Sequence, residues 1–435
     1  MGQTGKRRRQ QIAAFFSRVR SVAQKEQLGP GWITGAADDD PSGIATYSQG
    51  GAQFGLGLTW TLVLTFPLMA AIQLVSAHIG RVTGRGLAYN MAKIMPRWLV
   101  ISLVTLLFIA NTINVGADMS AMGAAAELVF GWGQHTFTIV FAAVSLLLQM
   151  FISYQKYARF LMVLTLSLFS YVALVFSLHV DWPAVGLSVI GASAVVSKDA
   201  AITVVAIFGT TISPYLFFWQ SAQEVEEVEH HANEKPLLED PDEAPGAFAH
   251  MRVDTIVGMA LSNLVALAIM ISTATTLHAA GKTDIATAAD AAQALQPLAG
   301  NFAFLLFSLG IIGTGLLAIP VLAGSAAYAV GDTRGWKMSL DDKPWEAVGF
   351  YSVIGLAVVL GLAIDYSGFD PMKALFWSAV VNGVIAVPLM VAMMVVVGSR
   401  KLMGQFTAKI GLAGLGWLST AVMAGATVAM AWFSL

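Results

Sequence analysis

Apolar runs recur along almost the whole chain, separated by short polar stretches rich in breakers and charge. A helix needs roughly 20 apolar residues to cross a hydrocarbon core of about 30 Å. Hydropathy and breakers together predict eleven spans, near residues 30–57, 59–80, 99–130, 136–153, 157–180, 200–222, 252–279, 301–330, 346–364, 373–397 and 408–433. The expected fold class is therefore an all-α membrane protein with eleven transmembrane helices. The basic segment 1–29 precedes the first run. That run lacks a small-residue cleavage site, so a retained span and not a signal peptide is expected.

Composition agrees with this pattern. Of 435 residues, 57% are hydrophobic and 11% charged, against about a quarter charged in soluble domains. The net charge of −2 gives no case for nucleic acid. Without cysteine, any metal site must use oxygen, nitrogen or methionine sulfur. The placement of the 24 Lys and Arg tests the span count: apart from Lys198, Lys282 and Lys373, all fall before the first span or at every second connection. The positive-inside rule puts the crowded side in the cytoplasm, with the N-terminus inside and the C-terminus outside. The Lys6–Arg9 cluster is then a topology determinant, with contact to anionic lipid as the alternative. The charged segment 223–249 reads as a solvated cytoplasmic connection, with a His230–His231 metal site as the alternative.

Two predicted spans carry interruptions. In the first, Ala37-Asp38-Asp39-Asp40-Pro41-Ser42-Gly43 places three acids and a proline inside apolar sequence. Proline removes a backbone donor and clashes with the preceding turn, and freed carbonyls inside a bilayer need partners. Intramembrane carboxylates cost several kcal/mol unless paired, hydrated or ligating. A bound cation would satisfy both. The sixth span repeats the break at Gly209-Thr210-Thr211-Ile212-Ser213-Pro214-Tyr215. If spans one to five (30–180) and six to ten (200–397) are two halves, an odd helix number per half inverts the second, and the breaks can meet near the midplane. Span eleven (408–433) is then an addition. Asn111, Asn114 and Asn382 read as interhelical hydrogen-bond formers, and the methionines as packing. No nucleophile with a paired base is visible, so an enzyme is not expected.

At the breaks the sequence resembles the NRAMP family of divalent metal transporters, and most closely its magnesium-transporting relatives. The first-helix pattern Gly-Pro-Gly followed by Asp-Pro-Gly-Asn is similar to Gly29-Pro30-Gly31 and Asp40-Pro41-Ser42-Gly43, continuing into Ile44-Ala45-Thr46 and Gly51-Ala52-Gln53-Phe54-Gly55. The sixth-helix pattern Ala-x-x-Met-Pro-His aligns with Thr210–Tyr215. The resemblance implies a LeuT-like 5+5 inverted repeat with helices 1 and 6 broken, in a bacterial cytoplasmic membrane. It also implies a transported divalent ion as substrate, no cofactor, and no protein partner beyond the lipid bilayer. Carried over residue by residue, it makes Asp40 the metal-binding carboxylate, replaces the Asn ligand with Gly43, and replaces the Met ligand with Ser213. Thioethers favour soft metals and oxygens favour Mg²⁺ and Mn²⁺, and Mg²⁺ retains several waters. The expected site thus holds a partly hydrated hard ion on Asp40 and Ser213, with carbonyls near Ala37 and Thr210, Gly43 leaving room for water and Tyr215 lining the pocket. Asp38 and Asp39 would add negative potential along the pathway. Of the family's proton-relay groups, Asp118 matches one helix-three acid, Val115 stands at the other, and Tyr215 replaces a histidine. The expectation is Mg²⁺ uptake, with Mn²⁺ also carried, without proton coupling; the alternative is a proton-coupled Mn²⁺/Fe²⁺ symporter.

Overall fold

The computed structural model describes residues 30–153, 158, 161, 163–191, 195–230 and 234–435. The Lys6–Arg9 cluster and His231 lie outside them. All regular structure among the described residues is helical. The first predicted span is two helices, α1 (Pro30–Asp38) and α2 (Pro41–Phe54). Pro41 opens α2 at a position where its missing N–H costs nothing, and Asp40 caps it by accepting the Gly43 N–H. A short turn at Gly55–Leu58 joins α2 to α3 (Thr59–Thr83). Gly55 has φ 57° and ψ −131°, which no helix accommodates. Next come α4 (Leu87–Ile94), α5 (Arg97–Phe130) and α6 (Gln134–Phe151). The fifth predicted span contains α7 (Val163–Ser177), and α8 (Trp182–Val189) follows beyond its predicted end, bent at 118° to α7.

The sixth predicted span is again divided, into α9 (Lys198–Thr211) and α10 (Pro214–His230). α11 (Ala244–Thr273), the short α12 (Ala288–Ala292), α13 (Ala303–Arg334), α14 (Val348–Asp365), α15 (Pro371–Gly398) and α16 (Ile410–Ser434) complete the chain. Among the described residues nine helical stretches are long and apolar enough to cross a membrane, or ten if the bent pair is one span.

Most described residues of the segment 223–249 are exposed or half-buried, but the segment is more helical than a loop. α10 continues to His230 and α11 begins at Ala244, so both helices extend well into it. Packing explains the extension. Glu224 is buried and accepts from Gln220 one turn earlier at 3.1 Å, and Tyr328 on α13 donates to Glu226 at 2.6 Å. His230 faces Asp341 at 3.2 Å and the Glu226 carbonyl at 2.7 Å.

Small residues allow the inner helices to approach backbone to backbone, the usual device where no hydrophobic effect drives association. A Cβ on Gly35 of α1 would lie 2.5 Å from the Gly258 backbone of α11, and one on Gly209 of α9 would lie 2.0 Å from the Ala379 carbonyl of α15. Both broken segments are thus held against unbroken helices. Asn111 on α5 donates to the Leu322 carbonyl and Ser325 Oγ of α13, each at 2.8 Å, as an interhelical bond former should.

Candidate metal site

The two breaks meet. Tyr215, in the first turn of α10, is fully buried, and its hydroxyl donates to the Ala37 carbonyl at 3.2 Å and to Asp40 Oδ2 at 3.4 Å. Higher on the same pair, Thr34 of α1 donates to Gln220 of α10 at 2.6 Å. The ends of α1 and α10 therefore form one unit across the interruption.

Asp40 stands at its centre, 1% exposed. Its Oδ1 accepts from Ser42 Oγ at 2.6 Å and from the Gly43 N–H at 2.8 Å. Its Oδ2 accepts from Asn114 Nδ2 of α5 at 3.0 Å, besides Tyr215. Four donors offset the cost of burying this carboxylate. A cation entering here would displace the weaker donors on Oδ2 and keep the cap on Oδ1.

Ser213 lies in the second break, where its hydroxyl donates to the Gly209 carbonyl at 2.9 Å and the Thr210 carbonyl at 2.7 Å. With its proton turned to the helix end, its lone pairs stay available to a cation. The Thr210 hydroxyl lies close to Gly43: a Cβ there would be 3.1 Å from Thr210 Oγ1 and 3.2 Å from Tyr47 Cε2. Glycine at 43 thus lets the breaks close upon each other. Space for water beside Gly43, as expected from the sequence, requires the two segments to separate.

Asp38 and Asp39 are both buried. Ser262 Oγ of α11 lies 2.7 Å from Asp38 Oδ2 and 3.0 Å from Asp39 Oδ1, and its single proton can serve only one of them. Asp118 is fully buried, with Oδ2 3.4 Å from Asn114 Nδ2. Among the described residues no three His, Asp or Glu side chains are grouped to hold a metal ion. The chemistry on offer is one central carboxylate with hydroxyl, carbonyl and amide oxygens around it, a hard-donor set suited to Mg²⁺, Ca²⁺ or Mn²⁺.

Four residues were not assigned to the site from sequence. Asn114 touches the central carboxylate, and Asn382 of α15 donates to Asn114 Oδ1 at 3.4 Å. Ser262 bridges the two flanking acids, and Asp254 Oδ2 accepts the Gly31 N–H at 2.6 Å, holding the start of α1 to α11. The one available signal was the spacing of Asn114 and Asp118, one helical turn apart on the same face.

The comparisons with known proteins fit this geometry. The family model described as natural resistance-associated macrophage protein-like, Nramp, matches residues 31–433. A protein of Pectobacterium carotovorum named divalent metal cation transporter MntH is 26% identical over 395 residues, 89% of each chain. The protein of the same name from Yersinia pestis is 25% identical over 391 residues, 87% of this chain and 88% of its own. Among solved structures, the Eremococcus coleocola manganese transporter superposes with a TM-score of 0.73 at 18% identity, covering 92% of this chain and 84% of that one. Mhp1, a nucleobase-cation-symport-1 family transporter, shares the LeuT-like fold with a TM-score of 0.59 at 12% identity, covering 94% and 93%. With two broken helices joined around a buried carboxylate and a family match along nearly its entire length, this chain is an integral membrane transporter, not an enzyme, and belongs to the Nramp family.

Proposed function

We propose that this protein carries a hard divalent cation, Mg²⁺ in preference to Mn²⁺, into the cell by alternating access and without proton coupling. The observation that carries the reading is the position of Asp40, the central carboxylate where both helix breaks meet, with hydroxyl and carbonyl oxygens around it and serine, not methionine, at position 213. In this reading Asp40 supplies the charge. Ser213 Oγ and the carbonyls of Ala37 and Thr210 supply further oxygens, Tyr215 lines the site and withdraws its hydroxyl as the ion arrives, and Gly43 admits water once the breaks part. A partly hydrated Mg²⁺ needs only one or two carboxylates. Asp38 and Asp39 attract cations along the path.

The reading also takes the chain as two five-helix halves, 30–180 and 200–397, with 408–433 as an extra helix. The run Pro41–Thr83 has 43 residues, which at about 1.5 Å each would be roughly 65 Å if straight, about twice a bilayer core. Counted as two spans divided at Gly55, it brings the total to eleven. The Lys and Arg bias then places the N-terminus in the cytoplasm and the C-terminus outside a bacterial plasma membrane.

The second reading is proton-coupled Mn²⁺ symport. It is favoured by the names of the relatives and by the Asp40–Asn114–Asp118 contacts, which link a second acid to the site. Against it, position 115 is valine and position 215 tyrosine, so the chain of titratable groups stops at Asp118. Uptake into proteoliposomes separates the two. The first reading expects Mg²⁺ influx that an inward proton gradient leaves unchanged and that does not acidify the lumen. Influx that requires the gradient and acidifies the lumen would establish symport instead.

A further inference from the structure

A cavity of about 730 Å³ lies away from the breaks, between α3, the start of α11 and the start of α16. Its wall is apolar, with Leu74, Phe248, Met251, Leu412 and Leu415 along it, and among the described residues no acidic one lines it. Arg252 and Lys409 do line it, and both are exposed. Neither is ion-paired to a described residue. His78 braces the wall: its Nε2 lies 2.5 Å from the Phe406 carbonyl, and its ring stacks on Phe248 with centroids 4.6 Å apart.

The cavity sits at helix ends, where α3 finishes and α11 and α16 begin. It therefore lies at a membrane boundary, on the side of the Lys- and Arg-rich connections. Leu415 in its wall is itself 42% exposed, and Leu418, about one turn further along α16, extends that exposed apolar surface. An apolar wall open to lipid beneath two unpaired cations matches a molecule with an anionic head and an acyl tail. Segment 1–29 of this chain is basic and would bring like charge to Arg252 and Lys409.

We propose that this cavity binds one anionic phospholipid of the adjoining leaflet, its phosphate on Arg252 and Lys409 and an acyl chain along Leu412 and Leu415. The site is independent of the transported ion.

The test uses the full-length protein in detergent, with thermal unfolding and native mass spectrometry as readouts. Palmitoyl-oleoyl phosphatidylglycerol should raise Tm and remain bound, whereas the phosphatidylcholine of the same chains, or inorganic phosphate alone, should do neither. The double variant Arg252→Gln, Lys409→Gln should lose the shift and retain at least fivefold less phosphatidylglycerol. Arg400→Gln, Lys401→Gln, which removes two cations outside the cavity, should keep both. Ala249→Trp fills the cavity without altering charge and should also displace the lipid, which covers the case of a double variant that does not fold. The proposal is overturned if the double variant keeps the full shift, if phosphatidylcholine or phosphate reproduces it, or if deletion of residues 1–29 abolishes it.

Discussion

Adding a single methyl group at Gly43 probes whether the two helix breaks work against each other. In Gly43→Ala the new Cβ would sit 3.1 Å from Thr210 Oγ1 on the opposite break and 3.2 Å from Tyr47 Cε2 on its own helix. Both contacts are closer than ordinary carbon contacts of about 3.5–4.0 Å, and overpacking of this kind costs typically about 1–3 kcal/mol. Position 43 is the third residue of α2, so alanine recovers up to about 1 kcal/mol through its helix preference. The net penalty, about 1 kcal/mol, falls on the arrangement in which the breaks touch, and 1.4 kcal/mol is about tenfold in an equilibrium. Initial Mg²⁺ uptake into proteoliposomes should therefore fall about threefold to tenfold. Thr210→Ala removes the opposing oxygen, so the Gly43→Ala, Thr210→Ala double variant should recover most of the rate, with a coupling of at least about 0.5 kcal/mol in the cycle. Strictly additive effects of the two substitutions would refute the inference that the breaks are in contact during transport.

Tyr215→Phe deletes two long hydrogen bonds, to the Ala37 carbonyl and Asp40 Oδ2, and should cost about 1 kcal/mol or less in stability. Mg²⁺ should then bind at least as tightly, as read by its stabilisation of the purified protein, because a donor that competes for Oδ2 is gone. Ser213→Met places a thioether beside the carboxylate and should make Cd²⁺ a markedly stronger competitor of Mg²⁺ uptake; unchanged competition would count against Ser213 as a ligand position. Asp254→Asn weakens the charge-assisted bond at 2.6 Å to the Gly31 N–H by about 1–2 kcal/mol. Hydrogen exchange should accelerate at the first turn of α1 while the rest of the bundle keeps its protection.

Much of this architecture was legible because a bilayer punishes irregular backbone. An apolar run that contains Asp38-Asp39-Asp40-Pro41, and another that contains Ser213-Pro214, cannot remain continuous helices facing lipid, so both breaks could be placed to within a residue or two. That the breaks could meet was expected from an inverted-repeat arrangement, and the contact through Tyr215 is what the structure adds. What sequence could not supply was the rotation of the helices that close around them. Asn114 was read as an interhelical bond former, and it is one, but its partner is the central carboxylate. Only the packing of α5 against α2 determines that.

Helix ends were the other weak point. Glu224 and Glu226 look like a solvated loop in sequence, yet a bond from Gln220 one turn earlier and a tertiary bond from Tyr328 hold them in α10. Gly43 shows a related ambiguity: a missing side chain can admit solvent or admit a neighbour, and in this arrangement Thr210 and Tyr47 stand beside it.

The central claim is that the Asp40 carboxylate holds the cation during passage. Asp40→Asn isolates it, because asparagine caps a helix as well as aspartate does and retains an oxygen for Ser42 and Gly43, so folding should be little affected. A unit charge about 2.1 Å from a divalent ion contributes on the order of 16 kcal/mol at an effective dielectric of 20 before desolvation, and retaining even a fifth of that amounts to more than a hundredfold in affinity. Initial Mg²⁺ uptake by Asp40→Asn in proteoliposomes, with Tm confirming an intact fold, is predicted to fall to the level of empty vesicles. Uptake at the wild-type rate and KM would contradict the account.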